Sequence, residues 1–291
     1  MKYLKLAFIL ILISACSGTK HVVERQQIKI EETQEATDSI TQIIKEPKDK
    51  GIDSINHVEK DNLKEDYQTF DQTLTKRFIS IHQLWNELLK KYVSNNGNVN
   101  YKGFKTKWKD LRSYIEALDQ NIPDETNSKE EKLAYWINAY NAMTIDLILR
   151  NYPLKSIKEI DNPWDQRLWK LGAKWYNLNE IEHQILRKMN EPRIHFAIVC
   201  ASYSCPKLRN KTYTAADLEN QLTSVTKAFL NDPERNFISE NNLELSKIFQ
   251  WFAKDFKQNG SLIDFLNRYS DIQISENSKK KFKDYNWTLN E

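Results

Sequence analysis

The sequence predicts an α+β fold: one predominantly helical domain with a small mixed or antiparallel sheet, preceded by a signal peptide and a flexible tether. Three observations lead there. Apolar residues recur at three- and four-residue steps through several stretches after Tyr67. Short runs rich in β-branched residues are few and scattered. From Tyr67 to Glu291 lie 31 of the chain's 33 aromatic residues, including all eight tryptophans, so the core must be built there.

Composition narrows the function classes. Lys plus Arg total 43 against 40 Asp plus Glu, a net charge of +3 too small and too mixed to imply a nucleic-acid partner. Three cysteines exclude a disulfide-dense scaffold, and six glycines exclude collagen-like or Gly-rich architectures. No phosphate loop, dinucleotide glycine pattern, repeat or heptad array occurs, and no cofactor is expected.

The chain opens as an export signal, residues 1–15. Lys2 and Lys5 form a positive end, Leu6 to Ile13 an apolar stretch too short to span a bilayer, and Ser14-Ala15 a small-residue site. The block Ile13-Ser14-Ala15-Cys16 resembles a bacterial lipobox, which implies lipidation of Cys16 and anchorage to a membrane. Acyl chains anchor by burying methylenes, each contributing roughly 0.8 kcal/mol. Ser17 is not Asp, which resembles outer-membrane sorting. The expected location is therefore the bacterial cell envelope, lipid-anchored to the outer membrane and facing the periplasm. Residues 16–66 read as the lipid-anchored tether. From Ser17 to Asp66 there is no aromatic residue, and eight basic residues face twelve acidic ones. Such a segment buries too little surface to offset ordering.

Residues 67–291 form the expected globular domain. Phe78, Ile81, Leu84, Trp85, Leu88, Leu89 and Tyr92 mark a first helix, and Leu111, Tyr114, Ile115 and Leu118 another. The clearest helix runs from Ser128, which forms a capping-box pattern with Glu131, to Arg150 before Tyr152-Pro153. It is apolar around most of its circumference, so it should be central. Asp161 to Tyr176 reads as an aromatic loop carrying Trp164, Trp169 and Trp175. Further helices are expected at Leu178–Met189, Ala215–Leu230, Leu245–Phe256 and Leu262–Tyr269. Ile194 to Val199 has the look of a buried strand. Phe237-Ile238-Ser239 and Leu243-Glu244-Leu245 flank a hairpin turn, Val99-Asn100-Tyr101 and Tyr285 to Leu289 suit edge strands, and Lys279-Lys280-Lys281 suits a solvated face.

Potentially reactive residues concentrate between Asn179 and Cys205: Glu182-His183, His195, and both mature cysteines, Cys200 and Cys205. A cysteine nucleophile needs a base or a positive field to form thiolate, and His195 or His183 would supply one. On a strand His195 and Cys200 face opposite sides, and on a helix they stand about 140° apart. A loop after Val199 must therefore bring them together. The same two cysteines suit a small disulfide closed by oxidation outside the cytoplasm. Cys200, Cys205, His183 and His195 could make a zinc set only with an unusual spacing, so no metal is expected. Asn138 and Asn141 share a helix face, either lining a polar cleft as orienting groups or bracing a neighbouring loop. Glu182 either orients an imidazole or is an exposed helix charge.

Several blocks in order resemble the domain of unknown function 547 family: Leu133 to Ile145, Tyr152-Pro153 with Ser156-Ile157, and Ile181-Glu182-His183 with Ile185-Leu186-Arg187. His195-Phe196-Ala197 running into Cys200-Ala201-Ser202 and Ser204-Cys205-Pro206, Tyr213, and Leu245 to Phe252 extend the likeness over residues 79–269. The Tyr285 to Asn290 ending resembles that of lipoprotein members. The resemblance implies that these blocks form one recurring unit and carries over no catalytic role. Two expectations follow. The domain binds an envelope peptide, glycan or partner protein, with Trp164 to Tyr176 as contact surface and Cys200–Cys205 a disulfide. Alternatively it is a cysteine-dependent hydrolase or transferase acting on amide or ester bonds in the envelope, with Cys200 or Cys205 as nucleophile.

Overall fold

The computed structural model describes residues 81–291. The expected signal, the Cys16 lipidation site, the tether and the Phe78 end of the first helix lie outside the described residues. Helix α1 covers residues 81–92 and buries Trp85, Leu88, Leu89 and Tyr92. A turn through Gly97, at φ 81°, folds Val99 back onto Val93, so the expected Val99 strand is a single bridge. Asn100 then caps α2 (Tyr101–Lys105), accepting from the Gly103 amide at 2.7 Å. Helix α3 (Trp108–Asp119) buries Leu111, Tyr114, Ile115 and Leu118, the residues its periodicity singles out.

Helix α4 (Lys129–Asn151) organises the rest. Ser128 accepts from the Glu131 amide at 3.1 Å and Glu131 accepts from the Ser128 amide at 2.8 Å, closing the capping box. Every residue from Leu133 to Leu149 is buried. Burial on all sides obliges its polar side chains to find partners within the protein. Asp146 accepts from the Trp108 and Trp169 indoles at 2.6 and 2.8 Å and from Arg150 at 2.7 Å. It thereby ties α3 and the Trp169 segment to α4.

The sheets are small. Strands β1 (Trp169–Leu171) and β2 (Lys174–Tyr176) pair antiparallel about Gly172, so the expected aromatic loop contains a hairpin. Its strands are only three residues each, too short for alternation to mark them in the sequence. Helix α5 (Leu178–Glu180) runs into a π-helical segment, Ile181–Ile185, and a 3-10 segment, Leu186–Met189, where a continuous helix was expected. Helix α6 (Leu218–Leu230) follows a 3-10 turn at Ala215–Asp217. Strand β3 (Phe237–Ile238) pairs antiparallel with β4 (Asn242–Leu245) in the expected hairpin. The expected Leu245–Phe256 helix is instead two short ones, α7 (Ile248–Trp251) and α8 (Ala253–Phe256). Helix α9 (Leu262–Asn267) opens on a second capping box, Ser261 with Asp264. Strand β5 (Lys279–Phe282) runs parallel to β4 with its three lysines exposed: the solvated face is an edge strand.

The run from Ile194 to Val199 is not a strand. Residues Pro192–Phe196 form a 3-10 helix, with Pro at its start and Glu191 accepting from the Arg193 amide. A short apolar run does not distinguish strand from buried helix by periodicity. Phe196 then plugs a second core, its ring 5.0 Å from Phe229 and 5.6 Å from Phe256.

Asp146→Ala leaves two indole N–H groups and Arg150 without their acceptor. The expected loss is about 3 kcal/mol of stability, read by urea denaturation against the wild type.

Candidate functional site

A cleft of about 320 Å3 holds Glu182, His183, His195, Cys200 and Cys205 together, walled by Trp164, Trp251, Phe252, Tyr285 and Trp287. The five titratable residues singled out from the sequence thus share one cavity. Asn138 and Asn141 stand behind it. Asn141 donates to the Ala197 carbonyl at 2.9 Å and accepts from the Val199 amide at 3.0 Å, clasping the chain just before Cys200. Asn138 does the same for both backbone groups of Tyr213, at 2.8 and 3.0 Å. Both carboxamides are therefore engaged with loop backbone.

Beyond Cys200 the chain reverses sharply. Ala201 has φ 56°, the left-handed region that costs a non-glycine residue roughly 1–2 kcal/mol. The C-terminal segment holds this turn in place. Asn290 donates to the Ala201 carbonyl at 3.2 Å, and the Tyr203 and Ser204 amides donate to Thr288 and Asn286 at 2.7 and 3.2 Å. The Tyr285 to Leu289 stretch bridges to Ser156 and Ser202 instead of forming a regular edge strand.

The two thiols are free and touch, Sγ to Sγ, at 2.7 Å. Cys200 Sγ also lies 3.1 Å from Ser202 Oγ and 3.2 Å from the Tyr285 hydroxyl. Burial works against its ionisation, but hydrogen bonds from Cys205, Ser202 and Tyr285 outweigh burial and bring the Cys200 thiol to about 7. Cys205 is pushed the other way, by burial and by its contact with Cys200.

The histidines belong to a separate network against Phe252. His195 donates from Nε2 to Asp255 Oδ2 at 2.8 Å, and its ring stacks on Phe252 at 3.9 Å. Arg187 grips the same carboxylate through two bonds, 2.6 and 2.8 Å, and donates from Nη1 to His183 Nδ1 at 2.6 Å. That last bond fixes His183 as the neutral imidazole protonated on Nε2. Burial and the Arg187 charge lower His183 further. Burial alone would raise Asp255, yet His195 and Arg187 hold it well below the usual carboxylate range. His195 is lowered mainly by burial, against the pull of Asp255. Among the described residues neither histidine hydrogen-bonds Cys200, whose partners are thiol and hydroxyl groups.

Glu182 sits in the π-helical segment and is buried, not an exposed helix charge. Tyr140 of α4 donates to it at 3.1 Å. Burial pushes its carboxyl up to about 7 despite that bond. Asp255, Arg187, Tyr140 and Tyr285 were not singled out as site residues. Both Asp255 and Tyr285 lie far along the chain, and only packing brings Asp255 to His195 and Arg187, and Tyr285 to Cys200. The one local signal was Arg187, four residues after His183.

Among the described residues no group of three or more His, Cys, Asp or Glu side chains could hold a metal ion, and no helix is long and apolar enough to cross a membrane.

The raised Glu182 carboxyl makes a pH-dependent prediction. The folded protein holds this proton more tightly than the unfolded chain, whose carboxyl ionises near the ordinary 4.5, so stability falls as pH rises from there to about 7. Glu182→Gln removes that cost. It should exceed the wild type at pH 8 by on the order of 3 kcal/mol, with the gap closing toward pH 4.5 in urea titrations. A gap independent of pH would contradict the assignment.

Residues 123–230 match the model of a family described as "Protein of unknown function, DUF547". The match spans α4, the first hairpin, both cysteines and α6. No curated protein and no solved structure matches the chain.

Proposed function

We propose that the protein is an envelope lipoprotein, tethered through Cys16, whose domain performs cysteine-dependent hydrolysis or transfer at amide or ester bonds. One observation carries this reading: Cys200, lining an aromatic cleft, has the Cys205 thiol and the Ser202 and Tyr285 hydroxyls within 2.7 to 3.2 Å of its sulfur, contacts that favour its thiolate. The thiolate adds to the substrate's carbonyl carbon, and collapse of the tetrahedral adduct expels the amine or alcohol with one proton, leaving a thioester on Cys200. Water or an acceptor nucleophile then attacks the thioester, loses a proton, and regenerates the thiol. Two groups in the cleft suit these proton transfers. Glu182 titrates near neutrality. His195 is oriented by Asp255 through Nε2, which leaves its Nδ1 as the ring's acceptor nitrogen.

A second reading, retention of a peptide, glycan or protein partner, draws support from Trp175 and Trp251, which are 50% and 46% exposed. The envelope location in both readings rests on the sequence of residues 1–17.

Reaction of the reduced full-length chain with p-nitrophenyl acetate separates them. The enzyme reading expects a thioester on Cys200, found by peptide mass spectrometry, forming at least tenfold faster than in the denatured chain. It should persist in Cys205→Ala and vanish in Cys200→Ala. Equal rates in folded and denatured chains, or no change in Cys200→Ala, would leave the binding reading.

A further inference from the structure

The Cys200–Cys205 pair carries a consequence that acyl chemistry does not need. Acyl transfer uses one sulfur, and for it Cys205 is only a hydrogen-bonding neighbour of Cys200, as the Ser202 and Tyr285 hydroxyls are. The second sulfur nevertheless stands 2.7 Å away, less than an ångström beyond the about 2.05 Å of a covalent disulfide. The two positions differ in access. Both line the cleft, but Cys200 is partly exposed there whereas Cys205 is buried, at 4% exposure. The backbone fixes that order. The left-handed Ala201 turns the chain back, the Cys205 amide donates to the Ser202 carbonyl at 3.1 Å, and the Cys200 amide donates to Cys205 Sγ at 2.8 Å.

We infer that Cys200 and Cys205 form a dithiol that reduces disulfide bonds entering the cleft, Cys200 attacking and Cys205 resolving. In the first step the Cys200 thiolate attacks one sulfur of the substrate disulfide. A Cys200–substrate disulfide forms, the substrate's S–S bond breaks, and the departing thiolate takes up a proton. In the second step Cys205 loses its proton and attacks Cys200 Sγ, forming the Cys200–Cys205 bond and releasing the second substrate thiolate. The substrate disulfide gains two electrons and the protein dithiol loses them. A dithiol reductant restores the pair. A thiol that titrates near ambient pH is also the most effective attacker in such exchange. Oxidation of the pair would at the same time withdraw Cys200 from acyl transfer.

The inference rests on Cys200 being an accessible nucleophile but not on its acyl chemistry. The test uses the full-length chain with Cys16→Ser, which leaves Cys200 and Cys205 as its only cysteines. After reduction by dithiothreitol and its removal, the chain is mixed with oxidised glutathione, quenched with acid and weighed intact. The wild-type pair should pass to a species lighter by two hydrogens, releasing both glutathione thiols and retaining no adduct. Cys205→Ser should stop at a glutathione adduct on Cys200, with a lifetime at least about 100-fold longer than in the wild-type pair. Cys205→Ala, checked for a native circular dichroism spectrum, guards against a folding defect in the serine variant. A lasting adduct on the wild-type pair, or no reaction at Cys200, would overturn the inference. A lasting adduct together with thioester formation from p-nitrophenyl acetate sinks the dithiol alone. Rapid closure without a thioester sinks the acyl reading alone.

Discussion

The structure depends on one constraint: helix α4 is buried on every side, so each polar group it carries must be met by another part of the protein. Leaving one unmet costs about 1–3 kcal/mol. Four of the helix's polar side chains show how different neighbours are held. Asp146 holds α3 and the β1–β2 hairpin, Asn138 holds Tyr213, Asn141 holds the approach to Cys200, and Tyr140 holds Glu182. The site is assembled as a by-product of satisfying the core. This explains how a cleft made largely of irregular backbone keeps a fixed geometry without a large sheet behind it.

Around that helix, two halves of the site are held by different means. The thiol half depends on the Ala201 reversal and on the C-terminal segment laced along residues 201–204. The imidazole half depends on Asp255, whose carboxylate receives three hydrogen bonds from His195 and Arg187 and is anchored by α8. Phe252 separates the two histidines' network into a stacked layer, with His195 at 3.9 Å and the Arg187 guanidinium at 5.3 Å from its ring. Between the halves lies Glu182, carried on a π-helical turn. Such turns re-aim side chains that a regular helix would present elsewhere.

Much of this was legible from the residues. The capping box of α4, its central position, the β3–β4 hairpin and the clustering of Glu182, His183, His195 and the two cysteines all follow from local patterns. What was not legible depended on tertiary choice. The Ile194 to Val199 run takes a 3-10 turn because Pro192 and Glu191 start one. The Leu178–Met189 and Leu245–Phe256 helices break where burial and irregular hydrogen bonding override periodicity. Asp255 and Tyr285 enter the site from 50 or more positions along the chain beyond Cys205, and no local spacing marks them. Glu182 stays open in the sequence between orienting an imidazole and standing as an exposed helix charge, because its burial depends on Tyr140 and the π-helical turn.

The central claim is that this setting makes Cys200 an ionised, reachable thiol near neutral pH. Its most direct test is the rate of iodoacetamide alkylation at Cys200 in the reduced full-length chain, followed by peptide mass spectrometry between about pH 5 and 10. The account expects a sigmoid with its midpoint near 7. A midpoint at the ordinary thiol value of about 8.5, or no reaction until the chain is denatured, would contradict it.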